Sequence, residues 1–124
     1  MLEHEELTRE VIGSAIEVHR CLGPGLLESV YHKCLYHELR ARSVPFEHEV
    51  VVPIHDKGTL LESDFRLDIV VGGRINVELK AVDASHPVHE AQLLTYMKLT
   101  GLRVGLLINF NVVLLKEGIK RMVP

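Results

Sequence analysis

The segment Asp64-Phe65-Arg66-Leu67-Asp68-Ile69-Val70-Val71, followed by Ile75-Asn76-Val77-Glu78-Leu79-Lys80-Ala81, carries the residue types best suited to chemistry. In a strand, alternate residues share a face. Phe65, Leu67, Ile69 and Val71 are therefore expected in one core, with Asp64, Arg66 and Asp68 on the other side. The second stretch repeats the pattern, with Ile75, Val77, Leu79 and Ala81 inward and Asn76, Glu78 and Lys80 outward. For both apolar sets to share a face, the residue numbers of each cross-strand pair must sum to an even number. A two-residue Gly72-Gly73 turn breaks that condition, whereas a Gly72-Gly73-Arg74 loop pairs Val71 with Ile75 and meets it. That register sets Asp68 opposite Glu78 and Arg66 opposite Lys80. Like charges facing across an antiparallel pair are destabilising, and a bound divalent cation is the simplest reason to keep them. Oxygen ligands favour Mg²⁺ or Mn²⁺. Lys80, on the same face as Glu78, is placed to position or deprotonate a water. The ordinary alternative is a solvated strand face of mixed charge.

Two helical stripes add to this. At about 100° per residue, Glu28 falls on one stripe with Tyr31, His32, Leu35 and Leu39, so a carboxylate lies beside an apolar face. A Glu in a first helical turn also complements the helix dipole, which is an equally good reason for its place. Further on, His89, Gln92 and Tyr96 recur at i, i+3 and i+7 beside apolar Val88, Ala91, Leu94 and Met97. An amide and a phenol one turn apart can hold a phosphate or a base, or simply face solvent.

The elements that position these residues follow from periodicity. Apolar Leu7, Val11, Ala15 and Val18 or His19 predict a helix over Glu5–Cys21, closed by Gly23-Pro24-Gly25. A second helix is expected over about Leu26–Arg42, with Leu27, Val30, Cys34 and Leu35 inward. Alternation predicts a strand over Phe46–Ile54, a turn at His55-Asp56-Lys57-Gly58, a longer strand over Leu60–Val71, and another over Ile75–Val82. Ser85-His86-Pro87 starts a third helix that runs to about Thr100. Two almost wholly apolar strands, Val104–Phe110 and Val112–Leu115, precede a basic tail over Lys116–Arg121. The strand-helix-strand order over Ile75–Phe110 implies a right-handed parallel crossover. The expected fold class is α/β, a mixed sheet with the order α-α-β-β-β-α-β-β, in one domain over residues 1–124.

Length and composition agree. The chain has 124 residues, 47% hydrophobic and 25% charged, with a formal net charge of -3. One globular domain with a modest core is expected, and disorder or collagen-like repetition is excluded. A net negative charge argues against holding nucleic acid or an anionic membrane by bulk positive charge. The C-terminal residues 101–124 carry four bases and one acid, so a polyanion would meet a basic end. Cys21 and Cys34 form no CxxC or disulfide framework and are read as reduced core residues of a cytoplasmic protein. The acidic Met1–Glu6 segment has no apolar stretch of a secretory signal, and no run reaches the ~20 residues of a membrane span. Eight scattered histidines do not propose a zinc site.

Gly25-Leu26-Leu27-Glu28-Ser29-Val30-Tyr31 is a literal GxxExxY, and with Asp68, Glu78-Leu79-Lys80, His89-Glu90-Ala91-Gln92 and Gly105–Phe110 the chain resembles the GxxExxY proteins of the PD-(D/E)XK nuclease superfamily. Gln92-Leu93-Leu94-Thr95-Tyr96 also fits the QxxxY of that superfamily's RecB-like branch. The resemblance covers nearly the whole chain and implies a restriction-endonuclease-like core. It implies Asp68, Glu78 and the backbone carbonyl of Leu79 as metal ligands, and Lys80 as the residue that organises a nucleophilic water. Glu28 would hold a metal-bound water or a second metal. Gln92 and Tyr96 would position substrate phosphate or Lys80, and Tyr31 and His89 are expected to contact substrate.

The expected function is a Mg²⁺- or Mn²⁺-dependent phosphodiesterase acting on nucleic acid, DNA before RNA. The alternative is a noncatalytic module that binds nucleic acid or protein on the same fold. Setting aside Glu28, Asp68 and Glu78 as metal-site residues brings the formal charge to zero, which removes the objection from net charge. No membrane is expected as partner, and a homodimer would let two sites address the two strands of a duplex.

Overall fold

The computed structural model describes residues 3–63 and 65–124. Asp64, expected on the outward face with Asp68, lies outside the described residues, as do Met1 and Leu2. The elements are α1 (Glu5–Leu22), α2 (Glu28–Ala41), β1 (Phe46–Val51), β2 (Ile54–Asp56), β3 (Thr59–Leu61), β4 (Arg66–Val71), β5 (Ile75–Lys80), α3 (Pro87–Thr100), β6 (Val104–Asn109), a short 3₁₀ turn (Leu115–Gly118) and β7 (Ile119–Met122). Among the described residues no helix is long and apolar enough to cross a membrane.

A five-stranded mixed sheet in the order β1-β4-β5-β6-β7 forms the middle layer. β4 and β5 are antiparallel through the Gly72-Gly73-Arg74 loop, with Val71 opposite Ile75 and Ile69 opposite Val77, the register that the apolar pattern requires. Gly72 and Gly73 both have positive φ, 59° and 67°, the conformation glycine takes without strain. β5 and β6 are parallel, joined through α3. On one face α1 and α2 deliver Val11, Ala15, Val18, Tyr31, Leu35 and Leu39 to a core shared with Ile69, Val77, Leu106 and Ile108. On the other face Leu93 and Met97 of α3 meet Leu107 and Met122.

Covering both faces overturns several expectations. Asn76 and Glu78, expected outward, are 0% and 6% exposed, because α3 closes the face they occupy. The core residues of α3 are Leu93 and Met97, not Val88, which is 65% exposed. In α2 the buried stripe is Tyr31, Leu35 and Leu39, and Leu27 precedes the helix in the open. Cys21, read as a core residue, is exposed at the end of α1, and both thiols are free.

Two strands were misplaced. The strand expected over Leu60–Val71 is two elements, because β2 and β3 make a separate hairpin turning at Lys57-Gly58. Val112–Leu115 is not a strand: Val113 and Leu114 are exposed and the chain passes into the 3₁₀ turn. The last strand is instead Ile119–Met122, within the basic tail, paired antiparallel to β6. As an edge strand it needs only one buried side, which is why an apolar run was a poor guide to it.

Candidate functional site

The GxxExxY segment folds as a turn followed by a helix. Gly25 takes φ 93°, a value that disfavours any side chain, and Glu28 opens α2. The Tyr31 hydroxyl ties the turn together: it donates to the Gly23 carbonyl oxygen at 2.7 Å and accepts from the Leu26 N–H at 3.1 Å. Its ring is fully buried and stacks on Phe110 at 4.5 Å. Tyr31 was expected to contact substrate and is corrected here: it presents no surface to a ligand, and its work is to fix the loop that delivers Glu28.

Glu28 and Asp68 come together on the α2 side of the sheet. Both line a groove of about 380 Å³ with Ser29, His32, Tyr36 and Glu49. Asp68 reaches it because the strand alternation slips at this position. Ile69 and Val71 join the core under α1 and α2, whereas Leu67 packs with Val52 and Val70 in a separate cluster, although 67 has the same parity. In β1 the paired positions run through His48↔Ile69 and resume at Val50↔Leu67, and the residue between, Glu49, has φ 52°. A left-handed glutamate is uncommon and costs free energy on the order of 1–3 kcal/mol, so the surrounding strands must hold it. The Asp68 carboxylate also reaches β5, where its Oδ2 accepts the Leu79 N–H at 3.1 Å.

Glu78 completes the pair from the α3 side. Its side chain is 7% exposed, with Lys80 Nζ 3.9 Å from its Oε2. Burial, and next the Asp68 carboxylate, push the Glu78 carboxyl up to about 8, against the pull of Lys80. The expected proximity of Asp68 and Glu78 holds in charge, but the two lie one step past the last ladder pair, Ile69↔Val77, and are not themselves a paired position. Arg66 opposite Lys80 does not enter the ladder, which ends at Ile69↔Val77. Beyond that point the Asp68 side chain takes the backbone amide that a regular strand partner would have used.

The other expected site residues gather at the same end. His89 is half-buried, and burial followed by the Lys80 ammonium holds its imidazole below the ordinary value, while the Glu28 charge works in the opposite direction. His89 and Lys80 line a second, smaller cavity with Asn109 and Lys120. Tyr96 packs edge-on against Phe65 at 4.3 Å. Its phenol is raised by burial, then by Glu78 and Asp68, and lowered by a hydrogen bond from Gln92. Glu28, Asp68, Glu78, Leu79, Lys80, His89, Gln92 and Tyr96 thus lie at one end of the sheet.

Sequence reasoning passed over His32. Its Nε2 stands 3.6 Å from Glu28 Oε2 and 3.7 Å from Asp68 Oδ2, and its Nδ1 lies 3.1 Å from the Tyr36 hydroxyl. The signal was present, since His32 follows Glu28 by one helical turn on the same stripe. Among the described residues no three His, Cys, Asp or Glu side chains already converge on a point at ion-binding distance. The donor set nevertheless fits a hard dication. The Asp68 and Glu78 carboxyls lie near one another with the Lys80 ammonium 3.9 Å from Glu78, and added positive charge is what would let Glu78 ionise at neutral pH.

No curated protein and no solved structure matches the chain. The family model described as the PD-(D/E)XK nuclease superfamily matches residues 5–122, the span that holds every element from α1 to β7. With an α/β core of this order and Asp68 facing Glu78-Leu79-Lys80 across two strands, the chain belongs to the PD-(D/E)XK nuclease superfamily.

Proposed function

We propose that the protein is a GxxExxY-type nuclease that hydrolyses phosphodiesters, DNA before RNA, with Mg²⁺ or Mn²⁺ bound by Asp68, Glu78 and the Leu79 carbonyl oxygen. The observation that carries the reading is the buried Glu78 carboxyl facing Asp68, with Lys80 Nζ 3.9 Å away. Two carboxyl groups held this close, one of them buried, are costly to keep in a fold unless a ligand offsets the cost.

A bound dication supplies Lewis-acid polarisation of the phosphoryl group and a more acidic water. The chain's own residues do the rest. Lys80 orients the attacking water and stabilises the negative charge that develops on the phosphoryl oxygens. The water oxygen forms a new bond to phosphorus and gives up a proton to solvent, the bond to the leaving sugar oxygen breaks, and that oxygen takes up a proton from solvent. Gln92 and Tyr96 hold Lys80 or a phosphate oxygen from α3, and His89 approaches the same phosphate from the first turn of that helix. The free thiols agree with a cytoplasmic protein.

Incubation with supercoiled, linear and single-stranded DNA and with RNA, in Mg²⁺ or Mn²⁺, tests the reading. Wild type is expected to cleave and Lys80→Ala to be inactive. Equal cleavage by both indicates contamination, and binding without any cleavage favours the noncatalytic module.

A further inference from the structure

On the α2 side of the sheet a layer of aromatic rings reaches the surface. Tyr36 of α2 stacks on His48 of β1 with ring centroids 4.5 Å apart and planes 24° apart, and on Phe46 at 5.5 Å and 19°. Phe46 and His48 stand two residues apart on an edge strand and so share a face. The Arg40 guanidinium lies 5.2 Å from the Phe46 ring centre. The stacked pair Tyr31 and Phe110 is, by contrast, fully buried in the core. Here His48 and Arg40 are exposed, and Tyr36 and Phe46 are half-buried. The three rings form one layer, open to solvent at the His48 imidazole.

This layer adjoins the candidate catalytic residues. Tyr36 and His48 line the groove of about 380 Å³ that also holds Glu28 and Asp68. One side chain links the two parts: His32 Nδ1 lies 3.1 Å from the Tyr36 hydroxyl, and its Nε2 lies 3.7 Å from Asp68 Oδ2. A nucleotide on the rings is therefore next to a phosphodiester at Asp68. Lys33 and Arg40 are exposed cations on the same helix. Arg9, Arg20, Arg42, Arg103 and Lys120 are held by carboxylates, and among the described residues Lys33 and Arg40 are not. Glu49 also lines the groove, so positive charge alone would not hold a strand there, and the rings must contribute. In a duplex the base faces are covered by neighbouring pairs and only base edges are open in the grooves. An unpaired base can be splayed onto a Tyr, His or Arg plane.

We propose that the layer of Phe46, Tyr36 and His48 binds an unpaired base of the substrate, with Lys33 and Arg40 on the adjoining phosphates, so that the groove takes single-stranded nucleic acid in preference to intact duplex. The proposal rests on the reading of Asp68 as part of a phosphodiesterase site and adds the form of the nucleic acid and the residues that choose it.

Binding of the full chain to a short oligothymidylate carrying one 2-aminopurine, whose fluorescence falls when its ring is stacked, provides the test. Ca²⁺ serves as the dication, and unlabelled single strand or duplex as competitor. Wild type is expected to quench the probe and to bind the single strand about fivefold or more tightly than the duplex, the lower bound for one stacked base. His48→Ala, at an exposed position, is expected to lose the quenching and about fivefold in affinity, with the melting temperature unchanged. His48→Tyr, which restores a ring, is expected to stay within about twofold of wild type. Equal competition by duplex, quenching that survives in His48→Ala, or a loss in His48→Tyr as large as in His48→Ala overturns the proposal. Wild type that cleaves supercoiled DNA without binding the probe overturns the ring layer alone. Quenching by a chain that cleaves nothing supports the layer and overturns the nuclease reading.

Discussion

The two ends of the β4–β5 pair obey opposite rules. At the loop end Val71 faces Ile75 and Ile69 faces Val77, all of them fully buried, and the ladder is regular. A few residues away Asp68 and Glu78 face each other as buried or half-buried acids, the ladder stops, and a backbone amide is bonded to a side chain. The same two strands thus hold a packing unit and a charge cluster. The closed end supplies the stability that the open end lacks, and the open end concentrates unbalanced charge where a cation and a phosphate can meet.

That contrast can be broken from either side. The largest effect is expected from Asp68→Ala, which should lower cleavage at least ~10³-fold, measured as initial nicking rate, with the melting temperature unchanged or raised. At the closed end Ile69→Ala should do the reverse. It opens a cavity in the core and is expected to cost about 2–5 kcal/mol in denaturant unfolding, with activity per folded molecule preserved.

The third test is one of pH. The Glu78 carboxyl titrates near 8 in the folded chain against an ordinary value near 4.5. The folded state therefore binds more protons than the unfolded state between these values, and stability of the metal-free protein must fall as pH rises from about 5 to 8. Below about 4.5 the Glu78 contribution is fully present. Glu78→Gln should flatten that slope and raise stability at pH 8 relative to wild type, read from denaturant curves across the pH range. Saturating Mg²⁺ should flatten it in wild type, since ion binding and proton release are linked. The smallest effect is expected from Tyr31→Phe, which removes the hydroxyl that the Gly23 carbonyl and the Leu26 N–H are bonded to and should cost about 1–3 kcal/mol. Its cleavage rate should match wild type below the melting transition, in keeping with a tyrosine that holds a turn.

The sequence made the closed end and the opposed carboxylates legible for one reason. A parity condition on apolar residues, with the glycines of the loop, admits a single register, and that register decides what faces Asp68. It could not show which face of β5 is solvated, because α3 covers Glu78 and Asn76 from a distant part of the chain. Nor could it show that Leu67 and Ile69, of the same parity, pack into different clusters on either side of Asp68. Tyr31 was misassigned because a motif records which residues recur together, and a tyrosine that ties a turn recurs as faithfully as one that touches substrate. His32 stood on the Glu28 stripe in plain view, but its significance requires Asp68 to arrive from β4. β7 was missed because an edge strand with one wet face carries charges that read as a tail.

The central claim is that the open end is a divalent-cation site organised by Asp68 and Glu78. Calorimetric titration of the metal-free chain with Mg²⁺ near pH 7.5 addresses it without any assumption about substrate. Saturable binding with proton release, abolished in Asp68→Ala and retained in Tyr31→Phe, is the predicted result. Absence of binding in wild type, or binding unchanged in Asp68→Ala, would contradict it.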